Sequence, residues 1–364
     1  MRIVVSGGGT GGHIYPALAM IREIERRTPC EVLYIGTENG LEADIVRRAG
    51  IPFESIEISG IRRSLSFENV KTGFRFLKSV VRVRKLLRDF QPDIVVGTGG
   101  FVCGPVLYTA AKMGYKTLVH EQNSLPGITN KFLARYVDRV ALSFKGSGHH
   151  FGKNEGKTIL IGNPRASEVA MLQIDPVEEK QKYGFEQDRP LIVVYGGSRG
   201  APAINKAVVD MIPKLTETDW SLLFVTGQVH HEDIQAQLGI LPDRIQLRPF
   251  IYDLPLILKA SQLVISRSGA STLAELTTLG LPSILIPSPY VTENHQEVNA
   301  SSLVETGASL LIRESELTGD RLFDACTKAI ADQADMSKAS LALGMPNAAS
   351  DLVDELLRLI QRKN

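Results

Sequence analysis

Ser6-Gly7-Gly8-Gly9-Thr10-Gly11-Gly12-His13 follows the strand-like run Ile3-Val4-Val5, with Pro16 three residues on. Glycine lets the main chain approach a ligand closely, Pro16 suits the first turn of a helix, and helix N-termini attract anions. A titratable His13 therefore stands where a negatively charged or sugar ligand would dock. A second bare loop, Gly196-Gly197-Ser198-Arg199-Gly200-Ala201, follows the run Leu191–Tyr195. A third, Ser266-Arg267-Ser268-Gly269-Ala270-Ser271-Thr272, leads into Glu275. Its amides and hydroxyls could donate to phosphates, and Glu275, one helical turn in, could accept two ribose hydroxyls. The same spacing also suits a capping box built on Ser271, Thr272 and Glu275. In Glu293-Asn294-His295-Gln296-Glu297-Val298-Asn299, the amides of Gln296 and Asn299 share a helix face and can both donate to and accept from sugar hydroxyls. Of His120-Glu121-Gln122-Asn123, Asn123 is the expected ligand contact. His120 and Glu121 point to opposite sides of a strand end and are expected to be structural.

Gly7, Gly9 and Gly12 also match G-x-G-x-x-G, with Glu38 as the nearest acid for a dinucleotide ribose. One cofactor does not need a second loop at Gly196, so a nucleotide-diphosphate pocket is preferred to an NAD-dependent oxidoreductase.

Elements must bring these loops together. Short apolar runs at 3–5, 32–35, 94–96, 117–119 and 137–142 alternate with helical patterns, and the series repeats at 191–195, 222–225, 245–247, 263–265 and 283–286. Such runs fit parallel strands buried on both faces, so two doubly wound α/β halves are expected. The expected domains are 1–162 and 163–345, with a hinge near Gly162–Pro164. Residues 346–364 form a helix that could pack back on the first domain, its apolar positions Leu352, Val353, Leu356, Leu357 and Ile360 helically spaced.

The chain has 364 residues, enough for two cores, and a net charge of +1, which argues against nucleic acid as a partner. Cys30, Cys103 and Cys326 are scattered and odd in number, which disfavours a disulfide framework or a zinc site and fits a reducing cytoplasm. Neither a leader-like start nor a spanning apolar stretch is read.

These motifs, in this order, resemble the MurG family, and the likeness runs over essentially the whole chain. That family comprises peptidoglycan N-acetylglucosaminyltransferases that convert lipid I to lipid II. The resemblance implies a GT-B fold, two Rossmann-like domains facing across a cleft, with UDP-GlcNAc held mainly by the second. Ser198, Ala270, Ser271, Thr272 and Glu275 would hold diphosphate and ribose, Ile251 would meet uracil through its backbone, and Gln296 and Asn299 would hold the GlcNAc. Thr10, Gly11, Gly12 and Asn123 would reach the donor from the first domain, and Arg165 from the hinge. Here Arg165 follows Pro164 directly, where some members carry one residue more. Other GT-B enzymes, such as glycolipid glycosyltransferases and UDP-GlcNAc 2-epimerases, share the architecture.

The family inverts the anomeric carbon, so an acceptor hydroxyl displaces UDP in one step. His13 is the candidate catalytic base, because an imidazole titrates near cytoplasmic pH. The competing reading is that it orients substrate or caps the loop. Helix N-termini and loop amides can meet the leaving group's charge, and no Asp-x-Asp stands at a strand end. No metal or other cofactor is expected to be essential. The lipid-linked acceptor implies a route to an anionic inner-membrane surface, peripheral on the cytoplasmic side of the bacterial cell membrane. Residues 61–88 supply it, with nine Lys or Arg and one acid. Phe67, Lys71, Phe74, Arg75, Lys78 and Arg82 are the expected contacts, on a basic amphipathic helix; the alternative is an ordinary packing helix with a solvated basic face. Proteins of the cell-wall synthesis machinery are implied as further partners.

Overall fold

The apolar runs become two parallel sheets. The structure, a computed structural model, describes residues 1–59, 67–197 and 200–361, and of residues 67–73 and 292 only the backbone. The first sheet comprises β1 (Arg2–Ser6), β2 (Glu31–Gly36), β3 (Phe53–Ser55), β4 (Ile94–Gly97), β5 (Lys116–Glu121), β6 (Arg139–Leu142) and β7 (Thr158–Leu160), ordered β3-β2-β1-β4-β5-β6-β7. The second comprises β8 (Leu191–Tyr195), β9 (Ser221–Val225), β10 (Ile245–Arg248), β11 (Leu263–Ser266), β12 (Ser283–Leu285) and β13 (Ser309–Leu311), ordered β10-β9-β8-β11-β12-β13. All pairings among the described residues are parallel. In each sheet the strand order reverses once at its centre, between β1 and β4 and between β8 and β11. Loops at the carboxyl ends of those strands are where such sheets bind ligands.

Helices cover both faces, which is why the central strands carry no polar alternation. In the first unit, one core layer joins Ile3, Val5 and Val96 to Ile14, Ala17 and Ile21, and the other joins Val4, Val95 and Val119 to Val83, Leu87 and Val106. The second unit's core gathers Ile192, Val194, Phe224 and Ile265 with Val208, Met211 and Leu322.

The first unit takes in Met1–Glu168 and Asn347–Asn364, and the second Val169–Pro346. The first thus runs past residue 162, because Ser167 Oγ accepts the Ala349 amide at 2.9 Å and Glu168 pairs with Arg22. The closing helix, Ala348–Gln361, buries Leu352, Val353, Leu356 and Leu359 in the layer that holds Ile14 and Ile21. Glu355, almost wholly buried, meets Arg139 at 2.7 Å. The sheet strand β6 begins at Arg139, not at Val137, whose amide still closes the preceding helix on Leu133 O at 3.0 Å.

Candidate active site

The loop after β1 is built to present its backbone. Thr10 begins the helix Gly11–Arg27 in an extended conformation, and its carbonyl accepts the amides of His13 and Ile14 at 3.1 and 3.3 Å. Thr10, Gly9 and Gly12 are exposed, while His13 is half-buried. The His13 main chain is pinned by Thr98 Oγ1, which donates to its carbonyl at 2.8 Å, and the ring is set by Nδ1, 2.8 Å from Gly8 O. A carbonyl only accepts, so Nδ1 carries a proton, and in the neutral ring Nε2 is then the nitrogen with the lone pair; Thr10 Oγ1 lies at 3.4 Å from the same Nδ1. The loop after β4 lies against this turn. Gly100 has φ +86°, and a Cβ there would stand 2.3 Å from Gly8 O, so only glycine allows the close approach. Glu38, the acid a dinucleotide would need, instead pairs with Arg47 at 2.8 Å on the surface.

Behind the loop, β5 ends in a buried polar network. His120 is fully buried, its Nε2 donates to Gly162 O at 2.8 Å, and its Nδ1 accepts from Gln122 Nε2 at 2.9 Å. Gln122 Nε2 also donates to Thr98 O at 2.7 Å, tying the network to the residue that pins His13. Glu121 accepts from the amides of Asn123 (2.9 Å) and Gly127 (3.1 Å) and from Asn130 Nδ2 (2.7 Å), so it shapes the turn that carries Asn123. Burial lowers the His120 pKa from 6.5 to about 4. The neutral ring is thus the folded form, and below pH 6.5 the unfolded chain binds a proton that the folded chain refuses. Stability is complete above 6.5 and falls between 6.5 and about 4. Between pH 7.5 and 5 this histidine should cost about 2 kcal/mol of unfolding free energy. Urea titrations of wild type and His120→Gln at both pH values test this. An equal pH dependence in the two proteins would refute it.

Arg165 opens the helix Arg165–Ala170, its amide donating to Asn163 Oδ1 at 3.1 Å. Its guanidinium pairs with Glu168 and stands 5.8 Å over the Tyr15 ring, so it is anchored within the first unit.

In the second unit the loop after β11 leads into the helix Ala270–Leu279, with Gly269 as N-cap. Ala270, Ser271 and Thr272 form its first turn, where amide N–H groups lack helical partners. Gly269 is the cap and bears no side chain, and the cap makes no side-chain hydrogen bond, so the capping-box reading does not describe this terminus. Glu275 lies one turn on and is half-buried. Arg267 is used structurally: it donates to Ile286 O and Pro287 O at 3.0 and 3.1 Å and pairs with Glu314 at 2.5 Å. Gln296 Oε1 accepts the Ser288 amide at 2.9 Å, and the amide nitrogen is the donor that remains to offer a sugar. Asn299, read from spacing as a sugar contact, is fully buried with its Nδ2 donating to Ser268 O at 3.3 Å. It holds the β11 loop in place, together with Ser268 Oγ, which donates to Gln296 O at 2.8 Å. Ile251 follows β10 in the turn leading to the helix Leu254–Lys259. Ser198 lies outside the described residues.

The helix Phe67–Phe90 buries Ser79, Val83, Leu86 and Leu87. Its opposite side exposes Phe74, Leu77 and Val81. Lys78 pairs with Glu57 and Arg82 with Glu54, each at 2.7 Å, and Arg75 donates to Ser59 Oγ at 3.0 Å. Lys78 and Arg82 are thus partly neutralised, and beside them runs the exposed apolar stripe Phe74, Leu77 and Val81. The side chains of Phe67 and Lys71 lie outside the described residues. Among the described residues no helix is long and apolar enough to cross a membrane, and no cluster of three His, Cys, Asp or Glu could hold a metal.

Two Rossmann-like units, each with a glycine loop at its switch point and one with a phosphate-type helix terminus, have the architecture of GT-B enzymes, and the family comparisons place the chain among their glycosyltransferases. The glycosyltransferase family 28 N-terminal domain matches residues 3–142 and the family 28 C-terminal domain matches residues 191–354. The chain is 99% identical, over all 364 residues and the whole of both chains, to the UDP-N-acetylglucosamine–N-acetylmuramyl-(pentapeptide) pyrophosphoryl-undecaprenol N-acetylglucosamine transferase of Exiguobacterium sibiricum. The protein of that name from Bacillus subtilis is 51% identical, over 99% of each chain. The crystal structure of Acinetobacter baumannii MurG superposes with a TM-score of 0.81 at 27% identity, covering 98% of this chain and 99% of that one. The chain belongs to the MurG family of glycosyltransferase family 28.

Proposed function

We propose that this protein transfers N-acetylglucosamine from UDP-GlcNAc to the 4-hydroxyl of the MurNAc in undecaprenyl-pyrophosphoryl-MurNAc-pentapeptide, lipid I, yielding lipid II and UDP in peptidoglycan synthesis. The observation that carries this is full-length identity of 99% to a transferase of that name. The geometry supplies chemistry that suits it. The second unit offers the donor site: helix-terminal amides at Ala270–Thr272 for the diphosphate, Glu275 for the ribose and Gln296 for the sugar. Those amides meet the charge that develops on UDP as it leaves, without a metal in the step. The first unit offers the base. His13 Nε2 takes the proton of the acceptor hydroxyl, whose oxygen forms the new bond at the anomeric carbon while the carbon–phosphate-oxygen bond breaks toward UDP.

The acceptor carries a lipid, and the exposed stripe Phe74, Leu77 and Val81 on the helix Phe67–Phe90 suits the surface of a bilayer. Arg84, Lys85 and Arg88 on the same exposed side suit its anionic headgroups. The protein on this reading works as a peripheral enzyme of the membrane's cytoplasmic face.

Incubating the purified protein with UDP-GlcNAc and a short-chain lipid I analogue, with and without EDTA, tests the reaction. Stoichiometric disaccharide and UDP, undiminished by EDTA, is the expected result. UDP released at the same rate without acceptor would point instead to an epimerase or hydrolase, and loss of turnover in EDTA would overturn the metal-free leaving-group step.

A further inference from the structure

One buried acid braces the catalytic loop from below. Glu42 stands in the first turn of the helix Leu41–Arg48 and is fully buried. Its carboxylate collects Thr37 N at 3.0 Å, Thr37 Oγ1 at 2.6 Å and Gly9 N at 3.1 Å. Space for it is left by neighbouring glycines: a Cβ at Gly8 would lie 2.5 Å from Glu42 Cδ, and one at Gly40 2.4 Å from its oxygens. The Gly9 N–H belongs to the same peptide group as Gly8 C=O, and that oxygen receives His13 Nδ1–H at 2.8 Å. Carboxylate and imidazole therefore hold opposite ends of one peptide dipole.

We infer that Glu42 is a positioning residue for sugar transfer, acting through the Gly8–Gly9 peptide to fix His13 with its proton on Nδ1 and to strengthen Nε2 as a base. This rests on the reading of His13 as the base. A carboxylate accepting from the amide N–H pushes electron density toward the carbonyl oxygen, and consecutive hydrogen bonds of this kind reinforce one another. The stronger acceptor holds Nδ1–H more firmly, and the positive charge that forms when Nε2 takes the acceptor's proton faces a carboxylate one peptide away. This is the role of the orienting acid in a serine-protease triad, with a peptide group inserted between acid and imidazole. The acceptor hydroxyl's proton moves to Nε2, Nδ1 keeps its own proton in the hydrogen bond to Gly8 O, and Glu42 takes no part in the proton transfer. A glutamine cannot reproduce the site, because its amide end would face either the Gly9 N–H or the Thr37 N–H, donor against donor.

The test is kcat from about pH 5.5 to 9 for wild type, Glu42→Gln and His13→Ala, beside unfolding midpoints. Glu42→Gln is expected to lower kcat about tenfold and to move the acidic limb of the profile to lower pH by about half a unit, as a weaker imidazole base would. Wild-type kcat, or a reduced kcat on an unmoved limb, would overturn the inference, the second showing a brace for the loop alone. Should Glu42→Gln not fold, nitrogen-15 spectra of the histidine rings in the unaltered protein decide. A neutral His13 protonated at Nδ1 supports the inference, and one protonated at Nε2 overturns it. Undiminished turnover by His13→Ala would remove the base and this inference together. An inactive His13→Ala beside an unaltered Glu42→Gln would remove the inference alone.

Discussion

Replacing His13 by alanine is expected to cut disaccharide formation at least ~100-fold while the protein still binds UDP-GlcNAc. The ring is held at both ends of its residue, its carbonyl by Thr98 Oγ1 at 2.8 Å and its Nδ1 by Gly8 O at 2.8 Å, so it is oriented before any substrate arrives. Removing it takes away the proton acceptor and leaves the helix Gly11–Arg27 and its core contacts Ile14, Ala17 and Ile21 intact. The proposed diphosphate, ribose and sugar contacts at Ala270–Thr272, Glu275 and Gln296 stand in the other unit and do not depend on the imidazole. Donor titration by calorimetry and turnover with a soluble acceptor separate the two effects. Turnover within a few-fold of wild type would end the case for His13 as base, and a donor affinity that collapsed with it would make His13 a binding group.

The triple variant Phe74→Glu, Leu77→Glu, Val81→Glu should abolish binding to vesicles containing anionic lipid. These side chains are 71%, 62% and 71% exposed, so nothing in the fold depends on burying them. Each apolar side chain taken into the acyl boundary contributes on the order of 1–2 kcal/mol, and three carboxylates add repulsion from the headgroups. The combined loss exceeds ~100-fold in partitioning. Charge reversal at Lys78 and Arg82 is a less direct probe, because it would also break their pairs with Glu57 and Glu54. Co-sedimentation measures the effect, with an unchanged unfolding midpoint as the control. Sedimentation equal to wild type would rule out this face as the membrane contact.

The central strands were legible because a sheet covered on both sides demands uninterrupted apolar runs, and Ile3–Val5 or Leu191–Tyr195 have few other uses. The edge strands Phe53–Ser55 and Ser309–Leu311 were not, because three residues at a sheet margin carry too little pattern to distinguish them from loop. Glycine loops announced themselves by composition. What they bind to within the chain did not. Asn299 and Gln296 are three apart, and spacing and the family resemblance alike gave both to the sugar; what neither could show is that Asn299 is buried with its Nδ2 donating to Ser268 O. Glu42 carried no motif at all, and Glu38 drew the attention due to an acid after the second strand. The difference between the two is burial, set by how the helix Leu41–Arg48 meets the glycine turn.

The closing helix Ala348–Gln361 gives the chain an unusual order of completion. The second unit, residues 169–346, is one continuous stretch of chain and has all its parts once Pro346 has left the ribosome. The first unit is begun first and finished last. Until the final helix emerges, the layer around Ile14 and Ile21 lacks the side chains of Leu352, Val353, Leu356 and Leu359. The half of the protein that carries His13 therefore reaches its full core only after the whole of the second unit has been synthesised. A polypeptide cut short anywhere in the second unit lacks part of the first.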